Sequence, residues 1–277
     1  MKMGTKGKEK IITVLFWFSA LIIIAILVGI IGYIVVKGIS AISWDFITQP
    51  PSRAGKEGGI STTIIGTIYL TLVAMILAVP FGVGAALYLE EYGRKNTRFG
   101  YALKLTAETL AGIPSIVYGL FGFVFFVIFL NMGWSILSGG LTLAIMILPT
   151  ITRTAQEAVI AVPQEYRSNS FALGATKWYT IKRLILPAAA PGIVTGIILS
   201  IGRAVGESAA VILTAGSSLG MPLNITDPAR TMAVHLYILA MEGISMERAF
   251  GTALLIIVLI VIINYLANLS LRKLARQ

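Results

Sequence analysis

The chain has no cysteine and one histidine, and charged residues make up only 12% of its 277 positions. Without cysteine there is no disulfide framework, iron–sulfur cluster or thiolate metal site. The sequence H-E-x-x-H is absent, which argues against a metal-dependent membrane protease. His235 falls between apolar runs and is expected to be a surface residue. G-x-x-x-x-G-K-[ST] is absent too, so the chain cannot cradle nucleotide phosphates in a P-loop. A membrane enzyme would need a convergent catalytic set, and no His, Cys or paired acids converge in the sequence. No catalytic residue, metal ligand or cofactor site is therefore assigned to this chain.

What is present is apolar. Hydrophobic residues make up 57% of the sequence, and the mean hydropathy is +0.88. These values exclude an ordinary soluble domain. The net charge of +10 might suggest nucleic acid, but the basic residues lie in short clusters between apolar runs. They act as topology signals in a chain whose surroundings are membrane lipid.

A membrane-spanning helix needs about 20 apolar residues. The candidates are Ile11–Val36, Ile60–Leu89, an uncharged 44-residue block Thr109–Thr152, Leu184 to about Ser208, and Ala249–Leu271. The first holds 26 uncharged residues, longer than a signal-peptide core, and should persist as a helix. The block is too long for one span, and Asn131-Met132-Gly133-Trp134 is its natural turn. The expectation is an all-α polytopic protein with six transmembrane helices. Under an N-in, C-in arrangement, sixteen Lys and Arg face inward and five outward, with Arg203 inside the membrane. The chain then divides into 1–59 (tail, first span and external loop), a 60–271 transmembrane domain with an inward loop at about 153–183, and a 272–277 tail. Ser217–Arg248 is a long external segment with a helix-like stretch at Thr231–Glu242. Pro80 and Pro149 lie inside apolar helices, where neighbours can satisfy the freed backbone. Glu108 follows Lys104 by four residues and is expected to pair with it.

Arg203 and Glu207 interrupt two uncharged runs of 19 residues each, Leu184–Gly202 and Ser208–Thr226. An ionisable group at a helix centre costs roughly 2.5–3.5 kcal/mol to insert, so it is kept where it faces a cavity or a partner. At i and i+4 on one helix the two would share a face. Arginine's planar fork suits an oxyanion. A permanently closed pair that only fixes packing is the other arrangement this spacing allows. In the inward loop, Ala172-Leu173-Gly174-Ala175-Thr176-Lys177 reads as an elbow: Gly174 for a turn, Thr176 to cap the next helix, and Pro187 near the following span. Such an elbow offers either a rigid knob to a partner or an amphipathic face to lipid.

The spacing from Gly174 to Leu186-Pro187 resembles the inward loop of ABC-importer permeases. Ser168-Asn169-Ser170 stands where the loop usually has Glu-Ala-Ala, and Leu184 replaces an isoleucine. ETLAGIPSIVYGLFG at 108–122, LPTITRTAQEAVIAVP at 148–163, GRAVGES at 202–208 and AVPFGVGAALYLEEY at 78–92 together resemble the permease subunits of the phosphate ABC importer. The end of the chain is closer to the A-type than to the C-type subunit. The resemblance covers about residues 60–271. It implies a type I importer permease in a prokaryotic inner membrane, paired with a second permease, identical or distinct. It also implies a cytoplasmic ATPase dimer that binds the ATP and an external phosphate-binding protein. Arg203 and Glu207 would line the substrate path, and residues 172–177 would couple to the ATPase. Moving one negative charge inward costs about 2.3 kcal/mol per 100 mV, so uptake needs such coupling. Another oxyanion, molybdate or sulfate, is the alternative cargo.

Overall fold

The computed structural model describes residues 5–93, 105, 109–110 and 112–274. Nearly all of the regular structure is helical. Helix α1 (Thr5–Gly38) opens with charged residues and from Ile12 to Val36 is apolar on every side, as expected of a helix whose solvent is hydrocarbon. It touches the rest of the fold mainly at its far end, where Tyr33 meets Phe250 edge-on with ring centroids 5.5 Å apart. The short α2 (Trp44–Thr48) follows, capped by the Ser43 hydroxyl. A two-residue hairpin pairs β1 (Pro51–Ser52) with β2 (Glu57–Gly58). Helix α3 (Ser61–Leu87) ends in a wider π turn, Tyr88–Tyr92. Helix α4 (Ser115–Gly122) continues as a π-helical stretch to Phe129. Then come α5 (Ile136–Ile160), α6 (Gln164–Ala172), and α7 (Lys177–Thr180), which passes through a π turn at Ile181–Ile185 into α8 (Leu186–Val205). Helices α9 (Ala209–Thr214), α10 (Met232–Met241) and α11 (Met246–Leu274) complete the order.

Five helices among the described residues are long and apolar enough to cross a membrane: Ile12–Ala41, Ser61–Tyr92, Ile136–Ile160, Lys177–Val205 and Met246–Ala267. Six were expected. The shortfall is at α4, where the apolar helix runs only from Ser115 to Phe129. Pro114 holds an extended backbone, with ψ 141°, so the helix starts after it. The turn expected at 131–134 is present, with Asn131 at φ 52° and Gly133 at φ 65°. Ser135 then caps α5 by accepting from the Ser138 N–H. Helix α5 runs on past Thr152, and the continuous helix that includes α8 begins at Lys177, before the apolar run at Leu184, so the inward loop shortens to α6 and the turn after it. Glu108 and Lys104 lie outside the described residues.

The core is made where α3, α5 and α8 pack along one another, with Leu70, Ala74, Leu143, Ile147 and Ile151 wholly or almost wholly buried. Small residues permit the approach. A Cβ on Gly140 would lie 2.4 Å from Val73, and one on Gly196 would lie 1.9 Å from the Thr154 hydroxyl. At one end of this bundle the hairpin, the 131–134 turn and residues 217–246 gather: Thr62 bonds to Leu219, and Ile136 and Leu137 bond to Asp227 and Ile225. At the opposite end the π turn after α3 meets α5 and α6.

Candidate functional site

Arg203 lies in the last turn of α8 and is half-buried. Its Nη1 donates to the Thr150 hydroxyl of α5 at 3.3 Å. Tyr118 of α4 lies within range of its charge. One turn earlier on α8, the Ser200 hydroxyl is buried without a hydrogen-bond partner. The site therefore places a permanent cation and hydroxyl groups where α4, α5 and α8 meet.

The expected stacking of Glu207 on Arg203 does not occur. Helix α8 ends at Val205, Gly206 closes it with φ −84° and ψ −4°, and Glu207 begins the next segment. The Glu207 carboxylate accepts the Ala210 N–H at 3.1 Å, which caps α9. Each charge is thus at the helix end that favours it, the cation at a C-terminus and the anion at an N-terminus. Within the 4 Å limit for an ion pair, the described residues show Arg53–Glu57, Arg153–Glu157 and Arg167–Glu91, but not Arg203–Glu207. Among the described residues, no carboxylate lies within ion-pair distance of the Arg203 guanidinium.

The elbow forms as expected. Gly174 adopts φ +81° and nothing lies within 4 Å of where its Cβ would be, so conformation rather than space demands glycine there. The Ala175 N–H returns to the Ser170 carbonyl at 3.1 Å and the Gly174 N–H to Phe171 at 2.9 Å, the usual way a helix ends on a left-handed residue. The Thr176 hydroxyl accepts the Tyr179 N–H. Ala172, Leu173, Thr176 and Lys177 are exposed, and Leu173 is 89% exposed. Beside them a groove of about 830 Å³ is lined by Tyr166, Asn169, Leu173, Thr176 and Tyr179. The elbow is a partly apolar protrusion beside a concave surface.

His235 is not a surface residue. It is fully buried, with Nδ1 3.5 Å from Arg230 Nη1 and Nε2 unpartnered. The hairpin covers it: a Cβ on Gly55, at φ +97°, would stand 2.6 Å from the imidazole Cε1. Arg248 donates to the Gly58 carbonyl and holds the hairpin down. Burial, and then the charges of Arg230 and Arg248, lower the His235 pKa to about 4. This cluster has no signature in the sequence, because its members lie on three separate segments. The pairing of Glu91 with Arg167, 76 residues apart, was equally hidden. Its one signal was two acids placed directly after an apolar run.

Residues 78–277 match the binding-protein-dependent transport system inner membrane component family. The chain is 34% identical to the probable ABC transporter permease protein YqgI of Bacillus subtilis, over 96% of each chain. It is 33% identical to the phosphate transport system permease protein PstA 1 of Mycobacterium tuberculosis, over 94% of this chain and 87% of that one. Among solved structures, a bacterial alginate ABC transporter in complex with its alginate-bound periplasmic protein superposes with a TM-score of 0.65 at 16% identity, covering 96% of both chains. The MetNI methionine ABC transporter superposes with a TM-score of 0.61 at 19% identity, over 78% of this chain and 94% of that one.

Proposed function

This chain belongs to the family of binding-protein-dependent transport system inner membrane components, non-catalytic permeases of ABC transporters, and on that footing we propose that it carries phosphate. The observation that bears most weight is Arg203. It is a permanent cation at a junction of apolar helices, hydrogen-bonded to a hydroxyl and unneutralised by Glu207. A fixed cation with a planar fork suits the oxygens of a phosphate, and the similarity to PstA permeases points to the same cargo. Glu207 shapes the path indirectly by holding the α8–α9 break beside Arg203.

In this reading the protein spans the membrane six times, with α4 and its π-helical continuation to Phe129 forming the shortest span. Both termini face the cytoplasm, in accord with the sixteen-to-five asymmetry of basic residues. A second permease subunit completes the path, an ATPase dimer docks on residues 172–177, and an external phosphate-binding protein delivers the anion. ATP is bound by the ATPase and not by this chain.

Reconstitution of the complete complex in liposomes tests the cargo. ATP-dependent uptake of labelled phosphate is expected to persist in the presence of excess sulfate or molybdate. If either anion displaces phosphate and is itself taken up, the cargo is that other oxyanion.

A further inference from the structure

Helix α6 has nine residues, most of them polar, and buries only Ser170. Such a helix is too short to stand on its own hydrogen bonds, so side chains must fix its position. Arg167 does most of this. Its side chain is 13% exposed, and that of its partner Glu91 is 5% exposed. Nε and Nη2 both donate to the same Glu91 oxygen, at 2.9 and 2.7 Å. Nη1 donates to the Val162 carbonyl at 2.9 Å and Nη2 to the Val159 carbonyl at 3.1 Å. One guanidinium therefore binds α6 to the end of α5 and to the π turn that closes α3. That turn is held from other directions as well. Gln156 of α5 donates to Glu90 at 2.5 Å, and the ammonium of Lys177 sits 4.8 Å over the Tyr92 ring.

We propose that Arg167 and Glu91 form the joint through which movement of the elbow is passed to α3. Apolar contacts are non-directional and let surfaces slide. A buried, charge-assisted hydrogen bond fixes a distance and does not exchange with water. Because the same guanidinium also holds the Val159 and Val162 carbonyls, its plane is pinned, and a shift of α6 is passed to Glu91 without being taken up by rotation of the side chain. The π turn carrying Glu91 is a place where a helix can change its winding. Helix α3 packs along α5, and α5 packs along α8, which carries Arg203. Glu91 and Arg167 touch no transported anion and are positioning residues. The proposal rests on the partner-ATPase reading and not on the identity of the cargo.

The test uses the complete complex in liposomes, with assembly, basal ATP hydrolysis and stimulation of hydrolysis by the external binding protein measured on the same samples. Glu91→Gln and Arg167→Gln are expected to assemble and hold basal hydrolysis within about two-fold, while stimulation falls roughly ten-fold. Arg167→Lys keeps the charge but not the fork, and intermediate stimulation is expected. Wild-type stimulation in either glutamine variant overturns the joint. So does a fall in stimulation that only tracks the amount of assembled complex. Should the glutamine variants fail to assemble, Arg167→Lys decides, and full stimulation there overturns the proposal. Because the readout is hydrolysis, a complex that couples normally but carries sulfate keeps these ratios and sinks only the phosphate reading.

Discussion

The Arg203 guanidinium reaches across from α8 to the Thr150 hydroxyl of α5 at 3.3 Å, a contact between residues 53 apart in sequence. A hydroxyl holds the cation without neutralising it, so its charge remains available to an anion. Arg203→Gln is expected to lower phosphate uptake roughly a hundred-fold, the scale on which a preorganised charge donor acts, with assembly unchanged. Arg203→Lys should retain partial uptake because it keeps the charge and loses the fork. Thr150→Val should cost less than either, since it frees the arginine without removing it. Recovery of uptake in an Arg203→Gln, Glu207→Gln double variant would show that the two residues act only on each other, and would exclude a role in the path.

Gly174 separates two explanations of the elbow. Its positive φ of 81° with open space around it means that the penalty of substitution is backbone strain, about 1–3 kcal/mol for a residue forced into that region. Asparagine tolerates the conformation and valine does not. Gly174→Asn should therefore stimulate the ATPase almost as wild type does, and Gly174→Val should lose stimulation while still inserting in the membrane. Equal stimulation by both variants would make the elbow a lipid-facing turn.

The parts of this fold that the sequence announced are those governed by local rules. Uncharged run length located the long helices, Asn131 and Gly133 marked the turn between α4 and α5, and Gly174 with Thr176 marked the elbow. What was not legible depended on tertiary neighbours. The i, i+4 spacing of Arg203 and Glu207 implied a shared helical face, but the helix stops at Val205, and each charge serves a different helix end. His235 looked like a surface residue because it stands in a segment between spans, yet a hairpin from residues 51–58 closes over it. The pairing of Arg167 with Glu91 left only one local trace, the two acids directly after an apolar run, and nothing in the sequence named the partner.

The proposed orientation, with the elbow inside and the hairpin outside, is open to chemical labelling. Single cysteines at Lys56 and Thr176 lie at opposite ends of the bundle, and both positions are exposed. In intact cells a membrane-impermeant maleimide should label position 56, and position 176 should react only after permeabilisation. The reverse pattern would invert the topology and place the elbow outside.

His235 gives the fold a pH dependence whose sign follows from its surroundings. Burial and the flanking charges of Arg230 and Arg248 lower its pKa to about 4, whereas an imidazole released from the fold titrates near 6.5. Between these values the released state binds more protons than the folded state, so stability rises with pH across that window. The contribution is fully present above pH ~6.5 and is lost as pH falls toward about 4, a difference of order 3 kcal/mol. Protonation would set a third cation beside two arginines under the hairpin, which is held there by the Arg248 contact to Gly58. Thermal unfolding of the detergent-solubilised protein is expected to show Tm falling between pH 6.5 and 4.5. In a His235→Gln variant, which keeps a polar group facing Arg230 but cannot titrate, this part of the fall should vanish. An equal loss of Tm in both proteins would assign the acid sensitivity to other groups.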